Sequence, residues 1–160
     1  MELLVFVEEI SLKEDIILGW REWVGLPELG LEQIKTKVDT GARTSALHAF
    51  QVTPFIEDGI QLVEFHLHPF QRDEETIQVC KAPVVDKRTV TDSGGHKEER
   101  WVISTLLTIG MHQWPIEVTL TSRDNMLFRM LLGRHAIKDR AIVNPSKSYL
   151  VGKRRKSIDS

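Results

Sequence analysis

The chain has 160 residues, 41% hydrophobic and 28% charged, with a formal net charge of -2. That is enough for one core and short for two, and a balance on the acidic side argues against a nucleic-acid-binding domain, which is normally basic. No apolar stretch approaches the roughly 20 residues that span a bilayer, and Cys80 is the only cysteine, which excludes an internal disulfide and suits a reducing cytoplasm.

Residues 1–16 read as an N-terminal extension. Met1 to Ile10 carries Glu2, Glu8 and Glu9 and no basic residue, so it lacks the positive start of a signal peptide. Ile16 to Val24 reads as an early strand, with Trp20 and Trp23 on either side of a bend. Ile34, Thr36 and Val38 alternate with Lys35, Lys37 and Asp39, the pattern of a half-buried strand that delivers Asp39 at its end. Thr44 to Ala49 is a short helical candidate. Gln51 to Ile56 and Gly59 to His68 are strands joined through Glu57-Asp58-Gly59, a hairpin-type turn. Thr76 to Ala82 and Val84 to Thr91 form either a second hairpin or one arm bent at Pro83. Ser93-Gly94-Gly95 punctuates, Arg100 to Ile109 resumes an apolar pattern, and Trp114 to Thr121 alternates again. Leu127 to Leu132 reads as a strand and Gly133 to Arg140 as a short helix. Strands dominate, without an internal repeat, so one domain is expected over residues 17–152. The basic run Lys153-Arg154-Arg155-Lys156 within residues 153–160 reads as a solvated, disordered tail, although four cations also suit a polyanion.

The chemistry concentrates in Lys37-Val38-Asp39-Thr40-Gly41-Ala42-Arg43. A carboxylate that activates water must be rigid, partly dry and near a second acid. Gly41 lets the backbone turn closely, and the Thr40 hydroxyl is placed to brace the turn. Taken alone, Asp-Thr-Gly is also ordinary turn composition. The second motif is Met130-Leu131-Leu132-Gly133-Arg134, an apolar run ending in glycine far along the chain.

Asp39-Thr40-Gly41-Ala42 followed much later by Leu131-Leu132-Gly133-Arg134 resembles the retropepsin-like aspartic proteases, in which an apolar-apolar-Gly strand packs beneath the catalytic loop. The longer strings Gly19-Trp20-Arg21-Glu22-Trp23-Val24, Leu26-Pro27-Glu28-Leu29-Gly30, Lys37 to Ala49 and Phe128 to Arg134 are similar to the bacterial family labelled "ATP-dependent zinc protease", which includes the RimB proteins. The similarity runs from about Ile17 to Val151. It implies an all-β, retropepsin-like closed barrel with one short C-terminal helix. Asp39, Thr40 and Gly41 are then the expected catalytic loop, and Ala42, Arg43, Arg123, Arg129 and Arg134 the expected substrate contacts.

The family label names zinc and ATP, and no cofactor is expected on either count. His48, His66, His68, His96, His112 and His135 make no zinc-hydrolase spacing. His66 and His68 come closest, sharing one face of a strand. The phosphate-cradling Gly-x-x-x-x-Gly-Lys-Ser/Thr is missing as well. Cys80, inside a strand-like run, reads as a small buried side chain rather than a nucleophile.

Aspartic proteolysis needs two carboxylates sharing one proton, and only one Asp-Thr-Gly is present. A homodimer with Asp39 from each subunit at a two-fold axis is therefore expected, and a monomer should be inactive. Arg43, Arg123, Arg129 and Arg134 near the two motifs suggest a positive rim suited to carboxylates; Arg43 or Arg134 would equally suit a dimer bridge or a pin on Asp39. RimB-like proteins are associated with enzymes that ligate glutamate to the C-terminus of a small-subunit ribosomal protein. The resemblance thus implies an oligoglutamate tail as substrate, with that ribosomal protein and its ligase as partners. Pro83 to Gly95 is the candidate for a substrate-covering flap. A binding module that holds an acidic tail or regulates a ligase is the alternative, and a metallohydrolase a third reading that metal analysis would decide.

Overall fold

The computed structural model describes residues 15–91, 94–123 and 127–154. Among these residues the strands are β1 (Ile16–Leu18), β2 (Arg21–Leu26), β3 (Leu31–Val38), β4 (Ser45–His48), β5 (Phe50–Glu57), β6 (Ile60–Leu67), β7 (Gln78–Thr91), β8 (Lys97–Ile109), β9 (His112–Thr121), β10 (Met130–Leu132) and β11 (Ala141–Val143). One α-helical turn, α1 (Arg134–Ile137), and a 3-10 turn at Pro27–Leu29 accompany them. No helix among the described residues is long and apolar enough to cross a membrane.

The main sheet runs in the order β2-β3-β10-β4-β9-β8-β7-β6-β5. It curls until β2 meets β8 again, at Gly25 and Thr108. A single residue pair joins the ring there, so the wall is not laced with hydrogen bonds all the way round, as the expected closed barrel would be. β7, β6 and β5 continue outside the ring, and β1 pairs in parallel with β11 as a separate ribbon. Strand alternation explains the core: Val24 and Leu26 on β2, Ile34 and Val38 on β3, and Trp114, Ile116, Val118 and Leu120 on β9 all turn inward. They meet Leu47, Phe65, Ile103, Leu107, Met130 and Leu132, which are sealed from solvent.

Several elements differ from the sequence reading, each for a physical reason. Thr44 to Ala49 contains β4 rather than a helix. All of Ser45 to His48 is buried, and a strand covered on both faces loses the alternation that announces it. The early strand is two strands, because the chain breaks at Gly19 and Trp20. The apolar strand beneath the turn is limited to Met130–Leu132. Pro83 sits inside one continuous strand: β7 pairs with β6 up to Pro83 and with β8 from Val84 onward, with a register shift between Val84 and Asp86. The bent arm, and not the second hairpin, is the correct alternative. Residues 92 and 93 of the Pro83 to Gly95 segment lie outside the described residues, as do 155–160 of the basic tail and 1–14 of the extension. The β5–β6 turn is as expected, with Asp58 and Gly59 both at positive φ (53° and 78°), the two-residue turn that follows strand twist.

Glu22 is charged, lies on the inward parity of β2, and is fully buried. Its Oε2 accepts from the amides of Gly19 (2.6 Å) and Leu150 (3.0 Å), and its Oε1 from those of Val151 (3.0 Å) and Gly152 (2.7 Å). A carboxylate removed from water is tolerated only when its lone pairs are filled. Here backbone donors fill them, tying the segment that follows β11 against β2.

Candidate active site

β10 lies between β3 and β4, parallel to the first (Leu132 opposite Val38) and antiparallel to the second (Leu131 opposite Ala46). The Asp39–Thr44 turn joins the two strands that β10 separates, so it must cross over the end of β10. The contacts follow from that topology. The amide of Asp39 donates to the Leu132 carbonyl at 2.9 Å. The amides of Arg134 and His135, which open α1 and have no partner within it, donate to the carbonyls of Ala42 (2.8 Å) and Arg43 (3.1 Å). Arg134 Nη1 donates to the carbonyls of Thr40 (3.0 Å) and Gly41 (3.3 Å). The Gly133 amide donates to Ser45 Oγ at 3.0 Å. Four successive carbonyls, from Thr40 to Arg43, are thus held by the two residues after Gly133.

Asp39 is half-buried at the centre of this frame. Its Oδ1 accepts the Gly41 amide at 3.0 Å. Its other oxygen has no hydrogen-bond partner among the described residues, so it can take up a proton or hold a water. Gly41 serves here through its amide and a bare α-carbon: a methyl group on it would lie 3.1 Å from Asp39 Oδ1. Thr40 is exposed, and the frame uses its carbonyl. The brace expected of its hydroxyl comes from Arg134. Ala42 is half-buried, and its amide closes the turn on the Asp39 carbonyl at 3.2 Å.

The four arginines do not form one cluster. Arg43 and Arg134 flank the turn, both exposed, and Arg43 Nε donates to His135 Nε2 at 3.3 Å. Arg123 and Arg129 sit at the far end of β4, about 10 Å along the strand at ~3.3 Å per residue. The Arg123 amide donates to His48 Nδ1 (3.2 Å), and the Arg129 carbonyl accepts the His48 amide (2.8 Å). Arg129 is only 6% exposed, and its Nε has no partner.

Beside this pair lies a group of rings of which the sequence reading paired only His66 and His68, leaving out His48 and Phe50. The rings of His48 and His68 stack at 6.2 Å, those of Phe50 and His68 at 4.5 Å, and His66 meets Phe50 edge-on at 5.5 Å. The available signal was parity, since His66 and His68 share one face of β6 and its extension. His48 Nδ1 accepts the Arg123 amide at 3.2 Å, and His68 Nδ1 lies 3.3 Å from the Thr76 carbonyl. Among the described residues no group of three or more His, Cys, Asp or Glu side chains is placed to hold a metal. Cys80 is buried, pointing its thiol at the Leu29 carbonyl (3.4 Å), and burial pushes its pKa up to about 11.

At the root of the β7–β8 arm, Arg88 bridges Asp86 (2.7 Å) and Glu117 (2.8 Å). The Arg88 hydrogen bond, followed by that of the Lys87 amide, holds the Asp86 carboxyl below its usual range. A recess of about 350 Å³ lies between this root and the turn, reaching Thr44, Trp114 and His135.

Residues 17–154 match the family described as RimB-like, retropepsin-like aspartic endopeptidase RimB. Two proteins called probable alpha-L-glutamate ligase, from Shewanella halifaxensis and Desulfotalea psychrophila, are 44% and 46% identical over 136 residues, in each case 85% of this chain. The chain spans only about 30% of the length of these curated relatives. A crystal structure of a Legionella pneumophila protein of unknown function superposes with a TM-score of 0.72 at 27% identity, covering 86% of this chain and 98% of that one.

Proposed function

Because the chain belongs to the RimB-like family of retropepsin-like aspartic endopeptidases, we propose that it cleaves peptide bonds as a homodimer, with Asp39 of each copy meeting across a two-fold axis. The observation that carries this reading is the frame around Asp39. A single half-buried acid stands on a turn with four successive carbonyls fastened from below, and one of its carboxylate oxygens has no partner among the described residues. Rigid placement of a reacting group is worth several kcal/mol of barrier, and here nothing but a second acid is missing.

Two carboxylates a few ångströms apart hold one proton between them, because ionising both would bring like charges together. The ionised member takes a proton from a water, whose oxygen bonds to the scissile carbonyl carbon. The protonated member gives its proton to the carbonyl oxygen. Collapse of the tetrahedral adduct then breaks the C–N bond: the proton taken from water passes to the departing nitrogen, and one hydroxyl proton of the adduct returns to the second acid, leaving a carboxylic acid, an amine and the singly protonated pair. Titration belongs to the pair as a unit. The β7–β8 arm, which includes most of Pro83 to Gly95, acts as the flap that closes over the substrate.

The substrate class is an acidic peptide or an oligoglutamylated protein tail. Arg43, Arg123, Arg129 and Arg134 supply guanidiniums on both sides of the frame. The relatives' name, probable alpha-L-glutamate ligase, supports a partnership in which one protein adds the residues that this one removes. The lone buried thiol suits work in the cytoplasm. Asp39→Asn should keep the fold, since the amide oxygen still accepts from Gly41, and should lower cleavage of an oligoglutamate-tagged protein by at least ~10³-fold. Cleavage retained in that variant would overturn the assignment.

A second reading has its own support: in the relatives a similar segment, 44% identical in one of them, forms part of a protein called a probable alpha-L-glutamate ligase. The domain would then hold the acidic tail without cutting it. It predicts that the native protein and the Asp39→Asn variant bind the peptide alike and that neither cleaves it.

A further inference from the structure

The net charge of -2 is unevenly spread. From Arg140 to Ile158 the sequence carries six lysines and arginines and no Asp or Glu. In the sheet, Arg21 lies opposite Lys37 and Trp23 opposite Lys35. The alternate positions Glu22, Val24, Ile34 and Thr36 are buried, so these four side chains stand on the outer face of β2 and β3. Glu22 is fully buried and taken up by four amides.

The segment after β11 completes the surface. The Arg21 guanidinium lies over two rings, Trp20 at 4.6 Å and Tyr149 at 5.0 Å. Tyr149 stacks on Trp23 at 6.4 Å, and Arg154 lies over Trp23 at 5.6 Å. At the other end Phe128 meets Trp20 edge-on at 5.9 Å, and Lys35 Nζ lies 5.7 Å from the Phe128 ring. Cations and rings thus interleave in one unbroken row from Lys35 to Arg154. Holding the segment in place does not require them. The Tyr149 amide donates to the Arg21 carbonyl (2.9 Å) and the Trp23 amide to the Gly152 carbonyl (3.1 Å), beside the bonds to Glu22. Among the described residues Arg21, Lys35, Lys37, Lys153 and Arg154 make no ion pair.

We infer that this outer face of β2 and β3 binds single-stranded nucleic acid. A guanidinium laid flat on a ring keeps its N–H edge for phosphate oxygens, and the lysines add point charges along the same row. The bases have a place as well: Trp23 walls a recess of about 280 Å³ whose rim includes Glu32, Gln33 and Lys153. A base entering it meets an aromatic wall, and the Glu32 carboxylate can accept from an exocyclic amino group. A single strand offers a phosphate and a flat ring in every repeat, which matches cations interleaved with rings. A duplex keeps its rings inside, and an acidic peptide has none. The inference is independent of the chemistry assigned to Asp39.

Anisotropy of labelled oligocytidylate and oligodeoxycytidylate dodecamers with the full chain tests the surface. Binding should weaken roughly 50-fold between about 50 and 200 mM salt, the response of a single strand with about four phosphates neutralised. Lys35→Gln combined with Arg154→Gln should lower affinity at least ~10-fold at the lower salt and cut the salt response to roughly 7-fold. Trp23→Leu should weaken binding by ~10-fold with the salt response unchanged. Thermal melting confirms that each variant is folded; if Trp23→Leu is not, the double variant decides. Tighter binding of the ribose or the deoxyribose strand names the polymer, and binding of neither overturns the inference. So does affinity that survives the double variant, or duplex RNA that binds as tightly. Displacement of the strand by hexaglutamate or by phosphatidylserine vesicles at equal charge would make this a face for acidic peptides or membranes, and also overturns it.

Discussion

Gly133 lies so close to Thr44 that a methyl group on its α-carbon would sit 2.5 Å from the Thr44 carbonyl carbon and 2.6 Å from its oxygen. Backbone atoms cannot swing aside as a flexible side chain can. Gly133→Ala should therefore push the Asp39 turn off the end of β10, at a cost of at least about 3 kcal/mol. Thermal unfolding would register the loss. An unchanged melting temperature would mean that the turn is more pliable than this contact allows.

Arg134 holds two of the four fastened carbonyls through a single nitrogen. Lysine has the charge but not the planar fork, so Arg134→Lys should leave the chain folded, with a loss of about 1–2 kcal/mol. Catalysis should suffer more, by ~10²-fold in kcat, because a small displacement of a reacting group is costly. A variant with wild-type kcat on an acidic peptide would show that the α1 amides suffice to position Asp39.

Glu22 accepts four backbone amides, two on each oxygen. Whichever way the side chain of Glu22→Gln sits, its NH2 group faces two N–H donors. The expected loss is about 2–4 kcal/mol, or a fall in Tm of roughly 5–15 °C. Hydrogen exchange at Leu150, Val151 and Gly152 should accelerate in the same variant. Protection that survives would place the anchor elsewhere.

Cys80 has its pKa raised by burial from an ordinary 9.0 to about 11. At pH 8 the native protein then holds about a hundredfold less thiolate than the unfolded chain, and alkylation by iodoacetamide should be slower by at least that factor until denaturant is added. A thiol whose folded pKa is raised contributes stability that is whole below about pH 9 and lost as pH rises toward about 11. The denaturant midpoint should fall across that window, less steeply in Cys80→Ala. Fast native labelling would contradict the burial.

Much of this is legible in the residues. Alternation over Ile34 to Val38 places Asp39 at the end of a strand, and Leu131-Leu132-Gly133 places the packing partner beneath it. β4 reads as a helix because burial on both faces erases its period. Arg129 and Glu22 carry a signal that sequence reasoning passed over, a charge inside an apolar strand pattern, with Glu22 in line with Val24 and Leu26. The pairing of β2 with β8 at Gly25 and Thr108 has no local signal, since it depends on how far the whole sheet curls. Nor does the order β3-β10-β4, which is a property of topology rather than of any window of sequence.

That order also sets a timetable. The strand that latches the Asp39 turn comes from residues 130–132, and the amides that finish the job from 134 and 135. A ribosome releasing this protein from its N-terminal end exposes the acid long before its fastening exists, and contacts so distant in sequence form late. In the nascent chain the Asp39 turn is therefore unfastened, and it takes its folded shape only once synthesis has passed His135.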